Sequence, residues 1–372
     1  MGSTLDRIQS VDAVTVALPI PRPLQLGPMT VTERRYCVVR VRTDEGLVGT
    51  AYGLTRDAPV AEVVRTMVAP VAVGLPADRI ASVVDTVGRA AVAAGRVGLA
   101  QRALSLLDIA LWDIKGKRAG LPVWQLLGGG HPEVDCMLVA GYPTGEPATE
   151  LGERVAAAAA DGHRLLKVAR MPDPADMRAL LETAATKLPN DARMVVDAAW
   201  WWRRAADAVD EIRTWADAAP LAWIEDPMVP EDVEGYARLV AAGVAPIGVG
   251  DELTDSHAAV ALVQRAGVAV LRIDATTIGG ISAAWRLRQF ADVVGVPVSC
   301  HVYPELHVHV AAAGSPGCSI ETFGADDNPF DPAGRLWEGG PTFAPGRATA
   351  SNAPGLGITP ADDLIADHVV GP

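Results

Sequence analysis

A repeat constrains this chain more than any other feature of its sequence. Between residues 134 and 321, eight short apolar runs alternate with Ala-rich segments of helical periodicity. The runs are VDCMLVA (134–140), RLLKVA (164–169), ARMVVD (192–197), LAWIED (221–226), APIGVGD (245–251), VAVLRID (268–274), VPVSCH (296–301) and CSIE (318–321). Strands that are apolar along nearly their whole length belong to a sheet covered on both faces, which means parallel strands joined by helices. Eight of them predict closure into an α/β fold of the (β/α)8 barrel type.

The ends of the runs carry the chemistry. Six finish at or beside an acidic residue or histidine: Asp197, Glu225, Asp251, Asp274, His301 and Glu321. A seventh contains Lys167. Successive separations from Lys167 onward are 30, 28, 26, 23, 27 and 20 residues, about one βα unit each. The C-terminal strand ends of such a barrel meet at one mouth, where its active sites lie. One acid at a strand end is as readily a helix N-cap. Six at barrel spacing are poorly explained by chance.

Asp197, Glu225 and Asp251 offer three carboxylates from adjacent strands. An all-oxygen set suits a hard cation, Mg²⁺ or Mn²⁺ in its place, whereas zinc would want His or Cys. Glu252 follows Asp251, and in an extended segment the two point to opposite sides. Asp251 fits the strand-end pattern, and Glu252 stands as a fallback ligand or a neighbour of the site. Asp274 and His301 end neighbouring strands. A carboxylate beside an imidazole fixes its tautomer, which makes His301 a candidate general base. Glu321, on the last strand, is placed to hydrogen-bond a substrate carboxylate as charge builds.

The N-terminal part differs in character. Residues 11–18 and 36–43 read as strands, and DEG (44–46) is a turn leading into LVGTAYG. Helical patterns follow at 59–73, 80–93 and 97–118, the last reading as an amphipathic helix. The expected organisation is an α+β capping unit over 1–128, the barrel over 129–340, and a C-terminal segment, 341–372, packing back on the cap.

Bulk properties narrow the function. A formal net charge of −13 argues against nucleic-acid or anionic-membrane partners, while leaving an anionic substrate open. The four cysteines, Cys37, Cys136, Cys300 and Cys318, are widely spaced in apolar runs, as reduced core residues are. No targeting sequence is visible, and no charge-free apolar run approaches the roughly 20 residues of a membrane span. A soluble cytoplasmic protein is expected.

With these residues assembled, the chain resembles the mandelate racemase/muconate lactonizing branch of the enolase superfamily over almost its whole length. ALSLLDIALWDIKGKRAGLPVWQLLGGG (103–130) is similar to that family's junction helix. WIEDP (223–227) resembles its fourth-strand motif, IDATTIGGIS (273–282) its sixth-strand motif with Asp274 placed as in the mandelate racemase subgroup, SCH (299–301) the histidine strand, and IET (320–322) the strand-eight glutamate. The resemblance implies a Mg²⁺ ion on the substrate carboxylate, removal of the α-proton by a base, and an enediolate stabilised by metal and acid. It also implies a cap whose loops near 19–31 and 49–58 touch the distal part of the substrate, and a homo-oligomer.

Three departures stand out. The family commonly has Lys-x-Lys on strand two, the second lysine being a base facing the histidine. Here the segment is Lys167-Val168-Ala169-Arg170, so Ala169 takes that place and Arg170 points elsewhere. Lys167 keeps the first position, where the family binds the substrate carboxylate. Relatives often carry Asn two residues after the first metal ligand, whereas this chain has Ala199 followed by Trp200, Trp201 and Trp202. Asp251 stands where the subgroup often has Glu. Among further residues, Arg56, Tyr303 and Trp200 are candidate substrate contacts, with a solvated arginine and loop packing as the alternatives. His307 and His309 read as helix histidines.

One evident base favours proton removal from one face. The expected activity is therefore dehydration of an acid sugar, an aldonate or aldarate, with His301 as base. Racemisation, epimerisation or cycloisomerisation of a carboxylate is the alternative within enzymes. A non-catalytic carboxylate-binding barrel is the alternative outside them.

Overall fold

The computed structural model describes residues 6–26, 29–142, 145–324 and 330–371. Residues 27 and 28, within the cap loop expected over 19–31, lie outside these.

Each of the eight apolar runs is a strand. They are β4 (Glu133–Gly141), β5 (Leu165–Ala169), β6 (Arg193–Asp197), β7 (Leu221–Glu225), β8 (Ile247–Val249), β9 (Val270–Ile273), β10 (Val298–Cys300) and β11 (Cys318–Thr322). All neighbours pair in parallel, and β11 pairs with β4, so the barrel closes. Helices such as Ala148–Ala160, Pro174–Ala185 and Gly280–Val294 cover its outside and bury one face each against it. This arrangement makes the strands apolar on both sides and leaves polar groups for their ends.

The cap begins with an antiparallel sheet of three strands before the barrel: β1 (Ile8–Leu26), β2 (Met29–Thr43) and β3 (Val48–Leu54). Most of what reads as a loop over 19–31 is therefore a long hairpin. Pro19, Pro21 and Pro23 suggest a strand end because they cannot donate to a ladder. β1 is an edge strand, however, and its pairing simply skips from Pro19↔Glu33 to Leu24↔Val31. A single π-type turn interrupts the next helical stretch, Val60–Ala72.

The Leu99–Ala119 helix joins cap to barrel. It is buried continuously from Ala103 to Leu111, where an amphipathic pattern predicts one wet face. Its two sides are both occupied. Gly49 of β3 approaches so closely that a Cβ there would lie 2.0 Å from Ala110 O, and on the other side Asp108 Oδ1 accepts from Ser282 N at 2.9 Å. Gly280, at φ 79°, brings that barrel helix in, and a Cβ on it would stand 2.1 Å from Asp108 Oδ1. Asp113, also buried, accepts from Thr50 N of the cap and Leu356 N of the C-terminal segment.

That C-terminal segment divides its contacts. β12 (Trp337–Gly339) pairs with β15 (Ile358–Pro360), while the hairpin of β13 (Thr342–Ala344) and β14 (Arg347–Thr349) adds to β4 at the barrel's N-terminal end. The last residues return to the cap, where Ala17 N donates to His368 O and Val370 N to Thr15 O. The four cysteines are free and buried. Among the described residues no helix is long and apolar enough to cross a membrane.

Candidate metal centre at the barrel mouth

Asp197 closes β6, Glu225 closes β7, and Asp251 follows β8 by two residues. Parallel register sets Asp197 beside Glu225. One carboxylate oxygen from each of the three lies within 4.8 Å of the others, and all three side chains are buried.

Two buried cations sit against this triad. Lys167 Nζ lies 3.1 Å from Asp197 Oδ2, 3.8 Å from Asp251 Oδ2 and 3.3 Å from Glu321, and donates to Glu225. Arg272, on β9, places Nε 2.8 Å from Asp251 Oδ1 and 3.0 Å from Glu225 Oε2, while its terminal nitrogen donates to Glu321. Arg272 is the residue sequence reasoning missed here. The signal was available: two positions before Asp274, it shares that residue's face and so points into the barrel. Burial opposes both cationic charges, but the surrounding carboxylates outweigh it and raise the Lys167 and Arg272 pKa values.

The charge count tests the fit of a metal. Asp197, Glu225, Asp251 and Glu321 carry −4 when ionised, and Lys167 and Arg272 return +2. The remaining −2 is buried, and burial accordingly pushes the pKa values of Asp197, Glu225 and Asp251 upward. One divalent cation on three oxygen donors neutralises it, so the residues present fit Mg²⁺. Glu252 is not among the three. Its carboxylate is held by Arg56 Nε at 2.7 Å and by Arg102 of the junction helix, which lower its pKa against the effect of burial.

His301 follows β10. Its Nδ1 lies 3.0 Å from Asp274 Oδ2, and its Nε2 faces Asp251 Oδ2 at 3.7 Å. The other Asp274 oxygen accepts from Thr276 N and Oγ1, both at 2.7 Å. Desolvation disfavours charge on both members. Asp274 is pushed up to about 8, and the imidazole is held well below its ordinary pKa by burial, then by Lys167, Arg272 and Arg56. An unprotonated imidazole with Nε2 turned toward the triad is the form a base requires.

Around the mouth the backbone is strained. Among the described residues, seven non-glycine positions have positive φ: Arg56, Asp57, Ala199, Trp200, Asp226, Val302 and Tyr303. Five of them, Arg56, Ala199, Trp200, Asp226 and Val302, line one pocket with Asp197, Asp251 and His301. Conformations costing about 1–3 kcal/mol each concentrate at functional sites. Asp226 accepts from Gly250 N and Asp251 N, which holds the third carboxylate in place. The Trp200 Nε1 is buried with no hydrogen-bond partner. Tyr303 is placed differently from the other candidates. Its hydroxyl accepts from Leu54 N at 2.6 Å, and its ring lies outside that pocket.

Ala169 lies in a small apolar cluster with Ile20, Leu24, Val139, Tyr142 and Ala199. Arg170 leaves the mouth. Its guanidinium stacks 3.9 Å over Trp201 and pairs with Glu211 at 2.6 Å. Neither position 169 nor position 170 therefore brings a basic group to the mouth, and Lys167 is the basic residue that β5 does bring there. The other helix histidines are satisfied in the core: His307 bonds Val302 O and Ala275 N, and His309 bonds Leu356 O and Trp124 N.

Residues 150–364 match the family described as Enolase C-terminal domain-like, and residues 9–128 match the Mandelate racemase / muconate lactonizing enzyme, N-terminal domain. The chain belongs to this family. An L-talarate/galactarate dehydratase of Salmonella typhimurium is 28% identical over 84% of this chain and 80% of its own length. A magnesium-bound structure of a racemase from Streptomyces coelicolor A3(2) superposes with a TM-score of 0.89 at 25% identity, covering 98% of this chain and 100% of that one. An L-talarate dehydratase from Polaromonas sp., complexed with Mg and L-glucarate, superposes with a TM-score of 0.87 at 27% identity, covering 98% of both chains. Within the family, then, this chain has an oxygen triad, a His–Asp dyad and no strand-two lysine at position 169.

Proposed function

We propose that the chain is a Mg²⁺-dependent acid-sugar dehydratase, a hydro-lyase acting on an aldonate or aldarate. The observation that carries this reading is the single base. His301 Nε2 faces the triad, and Ala169, at the position where relatives commonly carry the second strand-two lysine, lies among apolar side chains. The kinship with acid-sugar dehydratases supports it.

Asp197, Glu225 and Asp251 would hold Mg²⁺, which when bound would supply Lewis acidity toward the substrate carboxylate. Lys167 and Glu321 orient that carboxylate. His301 Nε2 takes the α-proton, while Asp274 holds the ring and favours the resulting imidazolium. The imidazolium then returns the proton to the β-hydroxyl, which leaves as water, and the remaining enol tautomerises to a 2-keto acid. One C–H and one C–O bond break, and one C=C bond forms. Arg56 and Trp200 contact the substrate from the rim, and Tyr303 braces the cap at Leu54. The cap over 1–128, the barrel over 129–340 and the segment 341–372 act as one unit. Four reduced cysteines support a cytoplasmic setting, and we assign the chain a homo-oligomeric state on kinship alone.

The test is a library of aldonic and aldaric acids incubated with enzyme and Mg²⁺ in D₂O. A 2-keto product with deuterium at the adjacent carbon is expected. The likeness to a racemase favours a second reading, in which solvent deuterium enters the α-position and no water is lost.

A further inference from the structure

The ring of His307 joins the two turns that carry the dyad. It projects from the helix Pro304–Ala313 and is fully buried. Ala275 N donates to its Nε2 at 2.8 Å. A backbone amide can only donate, so Nε2 holds a lone pair and Nδ1 of the neutral ring carries the proton. Nδ1 then donates to Val302 O at 2.7 Å. Burial lowers the His307 pKa to about 4, which keeps the ring in this neutral form. Ala275 follows Asp274 in the chain, and Val302 follows His301. One imidazole therefore ties the residue after the acid to the residue after the base.

Strand pairing stops short of both turns. The ladder between β9 and β10 ends at Ile273↔Cys300, and one further bond runs from His301 N to Ile273 O. Beyond it Val302 and Tyr303 turn left-handed, at φ 49° and 43°, a conformation costly for a β-branched and an aromatic residue. Asp274 meets the His301 ring through Oδ2 alone, because Thr276 occupies its Oδ1. His307 Nε2 lies 3.9 Å from that Oδ1 and has no proton to offer it. The contact between base and acid thus depends on how the two turns stand relative to each other, and His307 spans them.

We infer that His307 is a positioning residue for the His301–Asp274 pair: by bonding Val302 O and Ala275 N it sets the spacing of the two turns and so aims His301 Nε2. It acts only through the dyad. This rests on the reading of His301 as the base, and it holds for any abstraction of an α-proton, dehydration included. His309 supplies the comparison. It lies on the same helix, is equally buried and also makes two backbone hydrogen bonds, but its partners, Trp124 N and Leu356 O, are not in the dyad's turns.

The test sets His307→Leu against His309→Leu in the Mg²⁺-loaded protein. The first measurement needs no ligand. With ¹⁵N-labelled histidine, the downfield ring N–H resonance of His301, assigned by its loss in His301→Asn, should shift and exchange faster with solvent in His307→Leu. His309→Leu should leave it in place. A resonance unmoved by His307→Leu, or moved equally by both variants, overturns the inference. The second measurement uses the aldonic or aldaric acid that the wild type turns over. There His307→Leu should lower kcat by about 10²-fold, the cost of misplacing a reacting group by roughly 1 Å, with KM and Mg²⁺ affinity within about threefold. His307→Asn puts an amide nitrogen near the Nδ1 position, and His307→Gln puts an oxygen near that of Nε2. Each should recover part of kcat, and if His307→Leu does not fold, these two carry both measurements. An unchanged kcat, recovery by neither amide, or a loss shared equally with KM and Mg²⁺ affinity overturns the inference. If no acid sugar is turned over, the dehydratase reading fails, and the His301 resonance decides this inference alone.

Discussion

Lys167 and Arg272 grip the same two glutamates. Glu225 and Glu321 each lie within ion-pair distance of both cations, so a lysine on β5 and an arginine on β9 bridge the barrel interior beneath the metal triad. Replacing Arg272 with Met should leave Asp251 and Glu321 without their nearest cation and Glu225 with Lys167 alone. A loss of about 3–5 kcal/mol is expected, as when one partner of a buried pair is removed. Urea denaturation of the Mg²⁺-free protein measures it, and an unchanged midpoint would show that Arg272 is dispensable to the barrel.

Mg²⁺ should raise thermal stability, because it neutralises charge present only in the folded arrangement. At one hundred times its dissociation constant the gain is about 2.7 kcal/mol. Asp197→Ala should abolish both the stabilisation and turnover. A variant that still gains stability from Mg²⁺ would place the ion elsewhere.

His301→Asn should lower turnover by about 10²–10⁴-fold, the usual contribution of a general base, with Mg²⁺ affinity retained. The decisive reading is α-deuterium exchange in D₂O. Its persistence in the variant would assign the base to another group.

Gly280→Ala tests the cap–barrel junction. The new methyl would meet Asp108 Oδ1 at 2.1 Å, on a backbone at φ 79°. Overpacking costs about 1–3 kcal/mol, and the left-handed conformation adds to it. A denaturation midpoint matching the wild type would mean that the junction yields freely.

Much of this was legible beforehand, and what was not has identifiable causes. Parallel strands buried on both faces announce themselves as apolar runs, so all eight could be located. The mouth residues follow because a strand end is where polarity becomes affordable. The hairpin across Pro19, Pro21 and Pro23 was hidden because proline signals an end unless the strand is known to be at an edge. The all-round burial of the junction helix was hidden too, since only tertiary contacts tell which polar residues, such as Asp108, find partners inside. Arg272 escaped because it sits within β9 rather than at its end, and only the parity of its inward-facing neighbours marks it.

Two buried imidazoles give the fold an acid limit. Burial holds His307 and His309 down at about 4 in the native state, against about 6.5 when exposed. The unfolded chain therefore binds protons first. Their contribution is complete above about pH 6.5, declines as pH falls through that value, and is gone near pH 4. Each accounts for at most about 3 kcal/mol. Buried carboxylates with raised pKa values act in the opposite sense, so the informative quantity is a difference. Urea midpoints for wild type and His309→Gln, measured from pH 7 to 4.5, should diverge less at low pH than at neutrality. Parallel curves would remove His309 from the account.

The left-handed residues at the mouth set a direction for engineering. Val302 is β-branched and sits at φ 49°, where glycine would rest without strain. Directed selection for heat resistance should therefore find glycine there readily, and the winners should be sturdier proteins and poorer catalysts. Stability in this molecule is withheld at the spot where His301 must be aimed.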